Sequence, residues 1–256
     1  MTIAPSAAAS ATGGLLASLD PEQRAAATLP DGPAQIMAPA GSGKTTTLIA
    51  RLGVLLGRGV AADRIGVVTF NRDAAAELAA RIARRLAPDV PGAEAIEVRT
   101  LHALARQVWL DTGRPVRLLP DRLPLLRAAR RRALADLRVA PDGGDPPAEP
   151  PDPAALDTIV SAWKIEGRTP PPEAAATVDA LAALMAIRGQ IDFDDLVAGA
   201  VAALEGDPQL RSRWQARFSH LCVDEFQDVD AAQLRLVRIL APPEDNLFVV
   251  GDDDQP

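Results

Sequence analysis

Residues 38–45 read Ala-Pro-Ala-Gly-Ser-Gly-Lys-Thr, and they stand between a short apolar segment and a segment with helical periodicity. An apolar strand, a glycine-rich loop and a helix that opens at Gly-Lys-Thr together predict a phosphate-binding loop. Gly41 and Gly43 allow backbone angles that turn successive N–H groups toward an anion, and the helix N-terminus adds a partial positive charge. The candidate phosphate-binding residues are Ala38, Pro39, Ala40, Gly41, Ser42, Gly43, Lys44, Thr45 and Thr46.

A loop of this kind needs a distant acidic partner, and the apolar segment 218–223 runs into the adjacent carboxylates of Asp224 and Glu225. In this interpretation Lys44 binds the β- and γ-phosphates, Thr45 and Asp224 hold Mg²⁺, and Glu225 orients and deprotonates the attacking water. Two alternatives stay open. Residues 38–45 could form a glycine-rich turn without a ligand, since Ala38 stands where the general pattern begins with Gly. The acidic loop could also cap the following helix through an aspartate at 228 or 230.

The segments around the loop predict the fold class. Apolar runs at 34–38, 64–70, 96–100, 218–223 and 246–250 are typical of strands, and the segments 44–56, 73–86 and 231–240 have helical periodicity. Alternating strands and helices predict an α/β fold with a parallel sheet flanked by helices.

The middle of the chain has a different pattern. Residues 103–190 contain helical segments at 123–139, 154–166 and 172–187 and no convincing strand, and the proline-rich linker 141–153 separates the first two. We therefore predict a flexible tail at 1–18, an α/β domain in two segments, 19–102 and 191–256, and a helical subdomain inserted between them.

Composition limits the function classes. A net charge of −7 over 256 residues excludes nucleic-acid binding driven by the charge of the whole molecule. Segment 103–139 is the local exception, with nine arginines against three aspartates, and it is either a solvated helix face or a surface that follows phosphates. One cysteine and two histidines argue against a disulfide and a zinc site. The absence of a long apolar run and of a basic N-terminal segment predicts a cytoplasmic protein with no membrane partner.

Most of residues 19–256 resembles the first half of a UvrD/Rep/PcrA-type superfamily 1 DNA helicase. Segment 19–24 is similar to the Q motif of the family, and 38–45 is similar to its phosphate loop, which usually begins with Ala. The other motifs stand in order: motif Ia at 68–78, motif Ib at 100–104, an Asp-Phe-Asp-Asp segment at 191–196, motif II at 224–228 and motif III at 251–255.

The resemblance implies an ATP-dependent helicase with a RecA-like P-loop NTPase fold, which moves 3′ to 5′ on single-stranded DNA and unwinds duplex junctions in repair or replication. It implies that Gln23 reads the adenine and that Gln255 couples the γ-phosphate to DNA. The candidate DNA-binding residues are Thr69, Phe70, Asn71, Thr100, His102, Arg130 and Arg131. The DNA motifs depart from the family pattern, because Asp73 stands where Lys is usual and Leu101 and Ala103 replace a common Phe and Ser.

The family also has a second RecA-like domain, which supplies arginine fingers, and we expect it in cis. Residues 1–256 alone are therefore expected to bind Mg·ATP and to hydrolyse it poorly. Two alternatives remain. The chain could belong to the motor of a helicase–nuclease subunit, or it could be a stand-alone ATP-binding regulatory module without unwinding activity.

Overall fold

The computed structural model describes residues 13–90, 92–113, 115, 117–139, 148–241 and 246–252. Within these ranges the strands form one parallel sheet in the order β1-β5-β4-β2-β3. The strands are β1 (Ala34–Met37), β2 (Ile65–Thr69), β3 (Glu97–Thr100), β4 (His220–Val223) and β5 (Asn246–Gly251). The prediction of an α/β fold with a parallel sheet is confirmed.

Helices separate the strands and fill the middle of the chain. They are α1 (Pro21–Ala27), α2 (Lys44–Gly57), α3 (Arg72–Arg85), α4 (Leu101–Asp111), α5 (Leu123–Val139), α6 (Pro153–Glu166), α7 (Pro172–Arg188), α8 (Phe193–Gly206), α9 (Pro208–Gln215) and α10 (Ala231–Leu240). None of the described helices is both long and apolar enough to cross a membrane.

The chain divides into two compact units. The first contains the chain up to Leu104, Asp207–Val229 and the residues from Leu234 onward, and it holds all five strands. The second contains Ala105–Gly206 and Asp230–Gln233. Residues 191–206 lie in the second unit, whereas the sequence pattern assigned them to the α/β domain. The reason is local, because α8 packs against α6.

The core of the first unit forms where α2 and α3 cover the sheet. Leu48, Leu52 and Leu55 of α2 are buried against Val67 of β2 and Phe248 of β5. Each fully buried leucine or valine contributes about 1.5–3 kcal/mol of hydrophobic free energy. This packing fixes the ends of β1, β4 and β5, which the candidate site uses.

The second unit is a helical bundle that also contains a buried ionic network. Arg122 bonds to the carboxylates of Asp157, Asp192 and Asp194. The Nζ atom of Lys164 lies 2.8 Å from Oδ2 of Asp192 and 2.8 Å from Oδ2 of Asp195. The Asp-Phe-Asp-Asp segment at 191–196 is therefore a structural element, which joins the start of α8 to α6 and to the segment before α5.

The N-terminal prediction needs a correction, because residues 13–17 are helical and contribute to the core. Leu15 packs against the cluster that contains Leu48, and Leu16 packs against Leu19 and Ala27. Residues 1–12 and 141–147, which belong to the predicted tail and linker, lie outside the described residues.

Candidate active site

The predicted phosphate loop leads from β1 into α2 at the carboxyl end of the sheet. Gly41 and Gly43 have φ angles of 78° and 84°, which residues with a Cβ rarely adopt. Gly43 is the N-cap of α2, and no side chain caps this helix end. The first N–H groups of α2 therefore receive no capping side chain, and they can donate hydrogen bonds to an anion.

Lys44, the first residue of α2, lies against the end of β5. Its Nζ is 3.0 Å from the carbonyl oxygen of Ala38 and 3.2 Å from Oδ2 of Asp252, and both charged side chains are about 10% exposed. The Asp252 carboxylate gives this lysine a counter-charge when no phosphate is bound. Phosphate oxygens are chemically equivalent acceptors, so the same lysine can exchange one anion for the other.

Asp224 and Glu225 follow β4 and lie at the same edge of the sheet. Asp224 is 6% exposed, and its backbone N–H donates to the Val68 carbonyl at 2.9 Å. Glu225 has φ 53° and ψ 49°, and it is the one non-glycine residue with positive φ among the described residues. Such backbone strain is concentrated at functional sites.

The electrostatics of Asp224 suit a cation site. Burial, together with the charge of Glu225, raises the pKa of Asp224 to about 6, and Lys44 opposes the rise. A buried carboxylate that is short of positive charge is a good ligand for a divalent ion.

Gln23 connects α1 to the phosphate loop. Asp20 and Gln23 form a capping box at the start of α1, and Gln23 Nε2 donates to the Ser42 carbonyl at 2.8 Å. Behind α1, the buried guanidinium of Arg51 donates to the carbonyls of Ala27 and Pro30. These contacts fix α1 beside the loop, where a cavity of about 410 Å³ has Gln23, Ser42 and Lys44 in its lining.

The residues fit a magnesium-bound nucleotide. The Ser42 hydroxyl oxygen is buried without a hydrogen-bond partner in this structure, so the loop has a polar group to offer to a ligand. Magnesium prefers oxygen ligands and is usually held by one or two protein groups together with phosphates and water. The Thr45 hydroxyl and the Asp224 carboxylate supply such groups.

Two of the predicted DNA-binding residues remain on the surface. Phe70 is 45% exposed directly after β2, so a base can reach its ring. Asn71 is exposed and caps α3 by accepting the N–H of Ala74 at 2.8 Å. His102 is half-buried at the start of α4, and its DNA role stays a prediction.

Two of the predicted DNA contacts are threonines that lie almost fully buried. Thr69 is 1% exposed, so its hydroxyl has almost no surface to offer to a strand. Thr100 is 7% exposed, and its hydroxyl accepts the N–H of Ala103 at the start of α4. The Thr69 hydroxyl is buried without a hydrogen-bond partner in this structure, and the DNA contacts of both threonines stay predictions.

The arginines of α5 divide into structural and exposed side chains. The Arg130 guanidinium donates to the Pro150 and Pro151 carbonyls and pairs with Glu149, and its DNA contact stays a prediction. Arg131 is exposed on the same helix and stays a candidate.

Two residues of the site, Asp252 and Gln227, were not predicted from the sequence. They lie inside motifs III and II, but residue types alone do not reveal their contacts. Gln255, the predicted residue of motif III, lies outside the described residues. The alternative of an acidic cap holds for Asp230, which accepts the N–H of Gln233 at 2.8 Å.

The chain is similar to known proteins over most of its length. The family model for the UvrD/REP helicase N-terminal domain matches residues 19–256. The chain is 34% identical to the ATP-dependent DNA helicase UvrD2 of Mycobacterium tuberculosis (strain ATCC 25618 / H37Rv), over 94% of this chain and 37% of the relative. It is 34% identical to the helicase PcrA of Leuconostoc citreum, over 91% and 32%, and 28% identical to the helicase Rep of Escherichia coli (strain K12), over 93% and 36%.

The chain spans about a third of the length of these curated relatives. A match of the family model over most of the chain, together with a glycine-rich loop, a buried aspartate and a strained glutamate at one sheet edge, establishes the relationship. The chain belongs to the UvrD/REP helicase family and contains its N-terminal domain.

Proposed function

We propose that this chain is the ATP-binding part of an ATP-dependent DNA helicase, which couples ATP hydrolysis to movement along single-stranded DNA and to unwinding. The relatives named above are ATP-dependent DNA helicases, and the residues predicted to bind phosphate and Mg²⁺ share one edge of the sheet. Movement from 3′ to 5′ and a role in repair or replication are part of the proposal by resemblance.

In the proposed reaction the chain binds the nucleotide from two sides. The N–H groups of residues 41–45 and the Lys44 ammonium bind the phosphates, and Gln23 faces the adenine from α1. Thr45 and Asp224 would hold Mg²⁺, which when bound would neutralise charge on the phosphates. Lys44 exchanges Asp252 for a phosphate oxygen when ATP enters.

Glu225 acts on the water in this mechanism. Its carboxylate orients the attacking water toward the terminal phosphate and accepts its proton. The left-handed backbone of Glu225 supports such a role, because backbone strain of this kind is concentrated at functional sites. The family places arginine fingers in a second RecA-like domain, so we expect slow hydrolysis by residues 1–256 alone.

The DNA part of the proposal uses two separate surfaces. Phe70 offers an exposed ring for stacking on a base, a contact worth about 1–3 kcal/mol in other single-strand binders. Arg131 and its exposed neighbours on α5 offer charges to phosphates.

The pairing of Lys44 with Asp252 beside a strained Glu225 is the observation that carries this function, and two substitutions test it. We expect Lys44→Ala to weaken Mg·ATP binding at least about tenfold, because it removes the charge that meets the phosphates. Glu225→Gln should retain binding and abolish the slow hydrolysis. The checks are titration with a fluorescent ATP analogue and phosphate release under single-turnover conditions.

Arg58→Met is the matched control, because it removes a cation from the other end of the same helix, where Arg58 contacts Asp31 at 3.4 Å. Binding that survives Lys44→Ala at full strength, or hydrolysis that survives Glu225→Gln, would contradict the proposal.

A further inference from the structure

Gln227 lies two residues after Glu225, and both ends of its side-chain amide are hydrogen-bonded. Its Nε2 donates to Oε2 of Glu225 at 2.7 Å. Its Oε1 accepts the backbone N–H of Asp252 at 2.8 Å. One side chain therefore connects the proposed base after β4 to the residue that follows β5.

The two partners require an amide at this position. A carboxylate can only accept a hydrogen bond, and a backbone N–H can only donate one. Glutamine satisfies both, because one end of its amide donates and the other accepts. Glutamate and methionine have similar length, but the first cannot donate to Glu225 when ionised and the second supplies neither bond.

The far end of this bridge is anchored on the phosphate loop. The Asp252 carboxylate pairs with Lys44 Nζ at 3.2 Å, and the Gly251 carbonyl accepts the N–H of Ala38 at 3.2 Å. A continuous set of contacts thus runs from Lys44, the proposed phosphate ligand, to Glu225, the proposed base. The distance between these two groups is constrained through Gln227.

The Glu225 side chain, at the other end of these contacts, needs such a constraint. Glu225 has a left-handed backbone, and its long side chain has several rotatable bonds. A general base works only when it is held within a fraction of an ångström of the productive position. Among the described residues, Gln227 is the one side-chain hydrogen-bond partner of this carboxylate.

We propose that Gln227 is a positioning residue for Glu225, which holds the carboxylate against the end of β5 and in register with Lys44. The inference rests on the proposed function, because it concerns the residue that acts on the attacking water. Gln227 itself touches neither the water nor the phosphates in this proposal.

The test compares Gln227→Met and Gln227→Glu with the unaltered 256-residue chain. Gln215→Met is the matched control, since Gln215 Nε2 also donates one hydrogen bond within the α/β unit, to the Ile239 carbonyl at 2.8 Å. Three quantities are measured: the single-turnover rate of ATP hydrolysis, the Kd for Mg·ATP, and hydrogen exchange of the Asp252 amide by NMR without nucleotide.

We expect both Gln227 variants to hydrolyse ATP about tenfold more slowly or worse, the effect of losing one hydrogen bond to a charged group. Their Kd for Mg·ATP should stay within about twofold of the unaltered chain, because Lys44 and the loop are intact. Gln227→Met should expose the Asp252 amide to faster exchange, whereas Gln227→Glu should keep it protected. Gln215→Met should change none of the three quantities.

A spectroscopic check addresses the bond to Glu225 directly. In the nucleotide-free chain, Glu225→Gln should shift the side-chain NH₂ resonances of Gln227, because their charged acceptor becomes neutral. If Gln227 had only a structural role, its substitution would lower the melting temperature, and the hydrolysis rate and the Kd would change together.

The inference is overturned if the Gln227 variants hydrolyse ATP at the unaltered rate in a chain that Glu225→Gln inactivates, or if Gln227→Met leaves Asp252 exchange unchanged. Failure of the unaltered chain to bind Mg·ATP would instead overturn the proposed function, and this inference with it.

Discussion

Asp224 destabilises the nucleotide-free protein at neutral pH. Its pKa is raised to about 6 because the carboxylate is buried beside Glu225, while an aspartate in the unfolded chain titrates near 3.8. The folded state therefore binds this proton more tightly than the unfolded state. The stability that the protonated group gives is fully present below about pH 4 and is lost as the pH rises through about 6.

This linkage predicts a gain of stability from Asp224→Asn. The neutral amide removes the buried charge, so at pH 7.5 without Mg²⁺ we expect the free energy of unfolding to rise by about 2 kcal/mol. The gain should shrink as the pH is lowered toward 4. Urea unfolding at a series of pH values in the presence of EDTA measures both effects.

Asp63→Asn, which changes an exposed carboxylate of the same unit, serves as the control and should show no comparable gain. An Asp224→Asn protein that is less stable than the unaltered chain at pH 7.5 would show that this carboxylate is not under electrostatic strain.

Residue types predicted much of the site but not its internal contacts. Local sequence patterns predict the chemical roles of Lys44, Asp224 and Glu225. The bridge through Gln227 to Asp252 joins residues 25 positions apart, and it exists because β5 lies between β1 and β4 in the sheet. Strand order is a property of the folded chain, so periodicity alone could not reveal this contact. The left-handed backbone of Glu225 is likewise a property of the folded chain, so periodicity could not reveal it.

At the scale of elements, the longest apolar patterns gave correct boundaries, whereas α1, α4, α8 and α9 were not predicted from the sequence. The helix at 123–139 was predicted with the ends that the structure shows, because its apolar residues repeat with helical spacing. In α1 only Ala27 is buried, so this helix has no apolar stripe to detect. Its sequence signals are the capping pair Asp20 and Gln23 and the proline at its first position.

The sequence motif at 191–196 does not by itself reveal the ionic network of the helical unit. Burial alone would raise the pKa of Asp192, but hydrogen bonds from Lys164 and from the Asp195 N–H, with that from Arg122, hold it below its usual value. The stability that this carboxylate contributes is therefore present above pH 4 and is lost as the pH falls through its lowered pKa.

We predict that Lys164→Met lowers the free energy of unfolding by about 3 kcal/mol at pH 7. The substitution leaves the buried Asp192 carboxylate with only one of its two cationic partners. Urea unfolding followed by tryptophan fluorescence measures the loss. Arg168→Met removes a cation from an exposed pair with Glu166 and should cost under about 0.5 kcal/mol. Equal losses in the two variants would contradict a structural role for the network.

For the whole molecule, the net charge of −7 opposes the proposed DNA binding, because an acidic chain can bind a polyanion only through local surfaces. The sequence placed the largest basic excess in segment 103–139, but the structure uses part of that charge internally. Arg122 belongs to the ionic network, and Arg130 holds the segment before α6. Exposed charge remains on α5 at Arg127, Arg131 and Arg132.

We therefore predict that the double reversal Arg131→Glu/Arg132→Glu weakens binding of duplex DNA by about tenfold at low salt and lowers the salt slope of log K by about 2, one phosphate for each arginine. Fluorescence anisotropy at several salt concentrations gives both numbers. Arg84→Glu/Arg85→Glu is the matched control, because it changes the net charge equally at the last turn of α3, the end far from the site edge of the sheet. If the two pairs weaken binding to the same extent, net charge governs DNA binding and α5 has no special role. A loss of slope confined to Arg131 and Arg132 means that an acidic molecule binds DNA through one basic helix face.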